Sequence, residues 1–262
     1  MTAEGGKLAV VTGAGSGVGA ACVRSLVRQG TRVIAVDLAW SEGEPAGEVV
    51  RLTADVTSES TWRRVIEVAA EHGGGPDQLL LCAGRLEVGS VLALEPEALR
   101  AVFEVNVFAA ATALKACLPA MVERGGGAVV AVASTDALFA EQGLAAYCAS
   151  KGALLQLIRC VAVDHGRQGI RANCVCPGAI DTPFFRRHVD AAADPQAFLA
   201  EKTERHPSGR LLAPEDVAEV ATFLLEERAI GVNGAALLID GGLTATFDYQ
   251  ATAVAAGGSE LP

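Results

Sequence analysis

Short apolar runs rich in β-branched residues alternate along the chain with segments whose apolar residues recur at helical spacing. The apolar runs predict strands at residues 7–13, 31–37, 49–56, 77–84, 127–134, 170–178 and 234–242. The helical pattern occupies residues 18–30, 58–73, 97–125 and 145–166. Strands separated by helices of this length form right-handed βαβ units. We therefore expect an α/β protein with a doubly wound parallel sheet of about seven strands and helices on both faces.

One range of the chain departs from this alternation. Residues 183–212 mix aromatic side chains with charges after a predicted strand, where open α/β sheets bind ligands, so we expect a substrate lid there. No linker or change in composition divides the chain, which predicts a single domain over residues 1–262. Residues 243–262 end in glycine and alanine and are expected to form a disordered tail, unless a neighbouring subunit holds them.

Charge and composition argue against several classes of function. The formal net charge is -10 and Lys and Arg do not cluster, so no nucleic-acid partner is expected. The N-terminus lacks the pattern of a secretory signal, and no apolar stretch is expected to be long enough to span a membrane. Most of the seven cysteines lie in apolar runs, and the four histidines do not join them at metal spacing. We expect a soluble, cytoplasmic protein without a metal, and the excess of arginine over lysine favours a bacterial source.

A glycine-rich segment joins the first predicted strand to the first helix. Gly13, Gly17 and Gly19 permit a tight turn and let the backbone approach a pyrophosphate at the helix N-terminus. A turn that merely needs glycine is the alternative. Asp37 ends the second predicted strand, where a carboxylate would accept ribose hydroxyls and repel a 2′-phosphate. No Arg or Lys lies in the loop or at positions 38–41, so the sequence favours a Rossmann-like site for NAD over NADP.

Seven landmarks follow one another along the chain. They are TGAGSGVG at 12–19, DVT at 55–57, CAG at 82–84, Asn106, Ser134, YCASK at 147–151 and PGAIDT at 177–182. In this order and spacing they resemble the short-chain dehydrogenase/reductase family in its compact form. The resemblance runs from Lys7 to Gly242. It implies an NAD-dependent enzyme that interconverts a secondary alcohol, cyclic or open-chain, and its ketone.

Tyr147 and Lys151 lie four residues apart and therefore share a helix face. A phenol has an ordinary pKa of about 10, and a nearby ammonium favours the phenolate that a general base needs. The resemblance implies that Tyr147 exchanges the substrate proton and that Ser134 orients the substrate oxygen. It also implies that Lys151 holds the nicotinamide ribose and that Asn106 positions a water leading to solvent. Taken singly, Ser134 as a turn residue and Asn106 as the cap of a local kink are alternatives.

The resemblance extends to the other cofactor contacts. Family members usually have two asparagines where this chain has Leu81 and Cys82, so the amide hydrogen bonds that brace the central strand are lost. Thr182 could equally be the N-cap of a lid helix. The implied cofactor-binding residues are Gly13, Ser16, Gly17, Val18, Gly19, Asp37, Leu38, Asp55, Val56, Cys82, Ala83, Gly84, Tyr147, Lys151, Pro177, Gly178, Ile180 and Thr182.

The substrate is less well defined by the sequence. The candidate contacts are Ser134, Asp136, Tyr147 and Phe184. The adjacent rings at 184 and 185 favour an apolar substrate body or packing of the lid, and residues 186–188 would hold a carboxylate or form a solvated face. Two alternative functions stay open, an NADPH-dependent ketone reductase and a non-catalytic NAD-binding sensor.

The resemblance also implies a homotetramer or a homodimer. Its subunits would meet through the two long predicted helices, whose alanines would permit close approach. These residues are Ala109, Ala110, Ala111, Ala113, Ala145, Ala146 and Ala149.

Overall fold

Seven parallel strands form one sheet at the centre of the computed structural model, which describes residues 6–41, 43 and 47–246. The strands are β1 (Leu8–Thr12), β2 (Arg32–Asp37), β3 (Val49–Thr53), β4 (Gln78–Leu81), β5 (Gly127–Val132), β6 (Ile170–Pro177) and β7 (Ala236–Ile239). Their order across the sheet is β3-β2-β1-β4-β5-β6-β7. The predicted doubly wound α/β fold is confirmed.

Helices cover both faces of the sheet because the side chains of each strand alternate in direction. Leu8 and Val10 of β1 pack in one core layer, with the second, fourth and fifth helices, whereas Ala9 and Val11 pack with the first and eighth. The helices are α1 (Gly17–Arg28), α2 (Glu59–Glu71), α3 (Pro96–Phe103), α4 (Ala109–Glu123), α5 (Ala145–His165), α6 (Pro183–Asp190), α7 (Pro195–Glu204) and α8 (Pro214–Leu225).

Helix α8 is missing from the predicted elements, although its buried residues follow helical spacing. Val217, Ala221 and Leu224 are fully buried. Pro214 occupies the first turn, and the Asp216 carboxylate accepts a hydrogen bond from the backbone N–H that precedes the helix, at 2.8 Å. The helix packs along α1 and supplies much of the second core layer.

The helix predicted at 97–125 is interrupted. A π-turn at Glu104–Phe108 separates α3 from α4, and Asn106 lies buried within it. A single π-turn inside a helix often lies at a functional site. The hydrophobic pattern did not reveal the interruption, because apolar residues continue on both sides of it.

The order of the strands locates the ligand crevice. Strand β1 lies between β2 and β4, so the chain moves outward from β1 in both directions. Open α/β sheets bind ligands outside the carboxyl ends of the strands at such a reversal. The loops that follow β1, β4, β5 and β6 meet at this edge.

The predicted lid range folds into α6 and α7. Thr182 caps α6, since its hydroxyl accepts a hydrogen bond from the Phe185 backbone N–H at 3.2 Å. Asp194 caps α7 in the same manner through the backbone N–H groups of Gln196 and Ala197. Thr182 is thus a helix cap, as the alternative assignment proposed. A closing movement of α6 and α7 stays a prediction.

The expected disorder from residue 243 onward is wrong for residues 243–246. The Asp240 carboxylate accepts hydrogen bonds from the backbone N–H groups of Gly242 and Thr244 at 3.0 and 2.9 Å. These bonds hold a turn against the crevice. The rest of the predicted tail, 247–262, lies outside the described residues.

Two helical stretches correct the expectation that no segment could span a membrane. Pro96–Glu123 and Ala145–Gln168 have the required length, with mean hydropathies of 1.6 and 1.2. However, 44% and 50% of their most apolar windows are buried inside the fold. A core helix passes the same test, so the two stretches are weak evidence for a membrane span.

The alanines expected at a subunit interface also need correction. Ala109, Ala110, Ala113 and Ala146 are buried within the chain itself. They pack inward because these faces of α4 and α5 cover the sheet. They are therefore not available to a second subunit, whereas Ala149 is exposed.

Candidate active site

The glycines between β1 and α1 occupy positions that admit no side chain. A Cβ on Gly13 would lie 2.7 Å from the Ala83 backbone nitrogen, and a Cβ on Gly19 would lie 1.9 Å from the Gly13 carbonyl oxygen. Gly17 begins α1 with a φ of 53°. The compact loop presents the N-terminus of α1 to the crevice, where backbone N–H groups and the helix dipole attract phosphate.

Asp37 is tied to this loop from the end of β2. Its Oδ2 accepts a hydrogen bond from the Gly15 backbone N–H at 2.8 Å, and its Oδ1 accepts one from Ala39 at 3.2 Å. A carboxylate has about four acceptor positions, so others remain for hydroxyl groups. Asp37 also lines the crevice. The carboxylate is therefore oriented to accept hydroxyls of a bound ribose.

Thr12 braces the segment in which the family asparagines are replaced. Its hydroxyl accepts hydrogen bonds from the backbone N–H groups of Cys82 and Ala83 at 3.1 and 3.2 Å. The loop after β4 is thus fixed to the end of β1. A hydroxyl on the neighbouring strand supplies bracing in place of the missing amides.

The end of β5 and the start of α5 bring Ser134, Tyr147 and Lys151 together, and all three are buried. The phenol hydroxyl hydrogen-bonds to Ser134. The Lys151 Nζ donates to the Val132 carbonyl oxygen at 2.8 Å and lies 5.5 Å from the centre of the Tyr147 ring. The three groups form one wall of the crevice.

Burial decides the protonation of this group in the chain alone. It raises the pKa of Tyr147, the Asp136 carboxylate adds to the rise, and the hydrogen bond to Ser134 opposes it. Burial also lowers the pKa of Lys151. The expected lowering of the phenol pKa by Lys151 is therefore not seen, because loss of hydration outweighs it.

Asn106 joins three parts of the site from behind. Its Oδ1 accepts a hydrogen bond from the Arg85 backbone N–H at 2.7 Å, and its Nδ2 donates to the Arg85 carbonyl and to Ser150 Oγ, both at 2.9 Å. Ser150 donates in turn to the Tyr147 carbonyl oxygen at 2.8 Å. The amide thus connects the π-turn, the loop after β4 and α5.

The loop after β6 packs closely on a buried imidazole. A Cβ on Gly178 would lie 2.8 Å from His206 Nε2, and His206 is only 1% exposed. Its Nδ1 lies 2.7 Å from the Lys202 carbonyl oxygen, which can only accept, so Nδ1 carries the proton. Within the described part of the chain, Nε2 has no hydrogen-bond partner.

These elements enclose a cavity of about 990 Å³. Two residues predicted for the site do not line it, since Gly19 lies behind the glycine loop and Asn106 behind Gly84. The predicted residues that line it are Gly13, Ser16, Gly17, Val18, Asp37, Leu38, Asp55, Val56, Cys82, Ala83, Gly84, Ser134, Asp136, Tyr147, Lys151, Pro177, Gly178, Ile180, Thr182 and Phe184.

The lid supplies the opposite wall. The Phe184 ring lies 6.3 Å from that of Tyr147, and the Arg187 guanidinium lies 5.9 Å from Phe184. Arg186 instead forms two hydrogen bonds with the Asp181 carboxylate at 2.7 Å. Arg187 is therefore the basic residue of the pair that lines the cavity.

Several residues of the site were not found from the sequence. Glu141 and Lys202 form an ion pair across the cavity wall, although 61 residues separate them. Thr12 and Gly15 had a usable signal, because each lies at or beside the glycine loop. The Glu141–Lys202 contact depends on how α7 packs, and no local pattern marks it.

No group of three or more His, Cys, Asp or Glu residues is placed to hold a metal ion within residues 6–41, 43 and 47–246. All seven cysteines are free, and most are buried.

Comparison with known proteins decides the family. The model of the enoyl-(acyl carrier protein) reductase family matches residues 13–244. The chain belongs to the short-chain dehydrogenase/reductase family. Dehydrogenases of this family use nicotinamide cofactors, and this member is an oxidoreductase of the alcohol–ketone type.

Two curated relatives and one solved structure illustrate the likeness to this short-chain dehydrogenase/reductase. The chain is 38% identical to 2-(R)-hydroxypropyl-CoM dehydrogenase of Xanthobacter autotrophicus, over 91% of this chain and 99% of the relative. It is 37% identical to cis-4-hydroxycyclohexanecarboxylate dehydrogenase of Sinomonas cyclohexanicum, over 91% and 97%. The ligand-free aldohexose dehydrogenase of Thermoplasma acidophilum superimposes with a TM-score of 0.85 at 27% identity, over 94% and 97% of the two chains.

Proposed function

We propose that the chain is an NAD-dependent dehydrogenase that interconverts a secondary alcohol and its ketone, with Tyr147 as general acid and base. The observation that carries the proposal is the grouping of Ser134, Tyr147 and Lys151 on one wall of the cavity that the glycine loop also lines. A sensor that only bound NAD would not need a buried phenol beside an ammonium. The hydroxypropyl and hydroxycyclohexane groups in the relatives' names are secondary alcohols, which supports the same reacting group here.

The side chains divide the work of the reaction. Ser134 would orient the carbinol oxygen, and Tyr147 would take its proton as the nicotinamide, when bound, accepts hydride from the carbinol carbon. In the reverse direction the phenol would donate the proton to the ketone oxygen. Burial keeps Tyr147 protonated in the chain alone, so a positive charge beside the phenol is needed to form the base. Lys151 is held at that place by the Val132 carbonyl.

Asn106 would act through its neighbours. Its hydrogen bonds run to Ser150 and then to the Tyr147 backbone, so it would position the turn of α5 that carries the phenol. This makes Asn106 a positioning residue in the proposal.

The residues present fit a dinucleotide. Side chains are excluded from the glycine loop by distances below 3 Å, which leaves the cradle that a pyrophosphate requires. Asp37 would accept the ribose hydroxyls, and its charge would repel a 2′-phosphate. The proposed preference for NAD over NADP rests on this carboxylate.

The test is a turnover assay with purified protein. NAD⁺ or NADP⁺ would be offered with a panel of cyclic and open-chain secondary alcohols, and nicotinamide reduction would be followed by absorbance. We expect NADH formation with at least one alcohol and a loss of at least about a hundredfold in Tyr147→Phe. Unchanged turnover in this variant would remove Tyr147 from the chemistry. NAD binding without turnover of any alcohol would favour the sensor, and equal use of NADP⁺ would overturn the assignment of Asp37.

We also propose that the enzyme assembles as a homotetramer or homodimer. The support is the exposure of large apolar side chains on its long helices, such as Phe108 beside α4 and Val163 on α5. Their burial against a second copy would stabilise the assembly. Light scattering on the eluting protein, with Val163→Asp as the disrupting variant, would test this.

A further inference from the structure

A carboxylate stands beside the catalytic serine and has no part in the proton transfer described above. Asp136 follows Ser134 by two residues and is half-buried in the cavity wall. Its backbone N–H donates to Ser134 Oγ at 3.1 Å, and its carboxylate hydrogen-bonds to the same hydroxyl. Because the carbinol oxygen would also lie one hydrogen bond from Ser134, the carboxylate is within about 6 Å of the reacting oxygen.

The charged groups around Asp136 are mostly engaged with other partners. Glu141, from the loop before α5, forms an ion pair with Lys202 of α7. Lys151, on α5, donates to the Val132 carbonyl. Within the described part of the chain, no cationic side chain lies within 4 Å of the Asp136 carboxylate. Tyr147 completes the set of titratable groups that face it.

An ionised carboxylate in such a place needs hydrogen-bond donors. Burial, and after it the Glu141 carboxylate, raises the pKa of Asp136 to about 6, so the group is still charged at neutral pH. A half-buried charge without a counterion is costly unless hydrogen bonds replace its lost hydration. Ser134 has one proton to offer, which leaves most of the acceptor capacity of the carboxylate open toward the cavity.

We propose that Asp136 selects substrates that carry a second hydrogen-bond donor, a hydroxyl or an amine, within one or two carbons of the carbinol. This inference rests on the proposed function, which places the carbinol oxygen at Ser134. The donor would occupy the free acceptor positions of the carboxylate. A carboxylate on the neighbouring carbon would meet like charge instead, so 2-hydroxy acids would be rejected.

The experiment compares matched alcohols. kcat/KM with NAD⁺ would be measured for 2,3-butanediol, 3-amino-2-butanol and 2-butanol, in the wild type and in Asp136→Ala, Asp136→Asn and Glu201→Gln. Glu201 is the matched control, since its carboxylate lines the same cavity but pairs with Arg205. The readout is the ratio of the diol or the amino alcohol to 2-butanol.

We expect the ratio to be about tenfold or more in the wild type for at least one of the two donors. It should fall below about threefold in both Asp136 variants and persist in Glu201→Gln. A high ratio for the diol alone assigns a hydroxyl, and a high ratio for the amino alcohol alone assigns an amine. A ratio near one in the wild type, or one that Asp136→Ala leaves unchanged, overturns the proposal.

A binding measurement separates this proposal from the proposed function. Calorimetry of the same three compounds with the NAD-loaded protein requires no turnover. If no alcohol is oxidised but the donor-bearing compounds still bind more tightly through Asp136, the reaction is wrong and the subsite is right. If 2-butanol is oxidised without any preference that depends on Asp136, the reaction is right and the subsite is wrong.

Discussion

The Asp37 carboxylate and the Gly15 backbone N–H are joined by a hydrogen bond of 2.8 Å that fastens the end of β2 to the glycine loop. The same side chain is proposed to choose between the two nicotinamide cofactors. One residue thus has a structural contact and a discriminating charge, and the two can be separated by mutation.

Asp37→Asn removes the charge and keeps an oxygen that can accept from Gly15, whereas Asp37→Ala removes both. We expect both variants to use NADP⁺ at least about tenfold better than the wild type, because the repulsion of the 2′-phosphate is lost. Only Asp37→Ala should also lose about 1 kcal/mol of unfolding free energy. Cofactor kinetics and urea denaturation measure the two effects. A cofactor ratio unmoved by either change would show that the charge does not discriminate.

Thr12→Val tests the bracing of the loop after β4. The change leaves the Cys82 and Ala83 backbone N–H groups without their acceptor, which should cost about 1–3 kcal/mol of unfolding free energy. Thr12→Ser keeps the hydroxyl and should lose much less. Equal stability of the two variants in urea denaturation would mean that the hydroxyl does not brace the strand.

Asn106→Ala tests positioning through Ser150. The loss of three hydrogen bonds should lower kcat more than it raises KM, since the phenol shifts while the cofactor loop is untouched. Ser150→Ala breaks only the last link to the Tyr147 backbone and should show the same pattern with a smaller loss. A change confined to KM in both variants would contradict the proposed path.

Gly178→Ala introduces a methyl group 2.8 Å from His206 Nε2. We expect weaker NAD binding and a loss of about 1–3 kcal/mol of unfolding free energy, because the loop after β6 must shift. The double variant with His206→Ala makes room and should recover part of both losses. If the two changes are simply additive, the imidazole is not what excludes the methyl group.

Asp136 also predicts a pH dependence of stability. Its pKa is about 6 in the folded chain and about 4 in an unfolded one, so the folded chain binds more protons between these values. The contribution of Asp136 to the unfolding free energy therefore falls as pH rises from 4 to 6. Asp136→Asn should gain stability relative to the wild type over this range, by up to about 2 kcal/mol. A constant difference between the two proteins across the range would contradict the raised pKa.

The sequence was most informative where chemistry depends on local geometry. Tyr147 and Lys151 could be placed on one face because four residues make about one helical turn. Gly13, Gly17 and Gly19 could be placed at a helix N-terminus because the strand before them is continuous and apolar. In both cases the spacing along the chain determines the spacing in space.

The sequence was least informative where distant segments meet. Glu141 and Lys202 are close only because α7 folds back over the loop before α5, and no periodicity records such a contact. The π-turn at Asn106 was also hidden, since both flanking helices keep their apolar faces. The direction of the Tyr147 pKa was misjudged because burial cannot be read from the Tyr–Lys spacing.

The cavity takes its walls from segments that begin at Gly13 and end beyond Asp240, so no contiguous fragment of the chain contains the site. A nascent chain on the ribosome would therefore have no cofactor site until nearly all of it had emerged. Once folded, the enzyme would be held in that state by its own cofactor, since a ligand that binds only the native chain stabilises it by mass action. The cellular NAD supply would then set the lifetime of the enzyme as well as its rate.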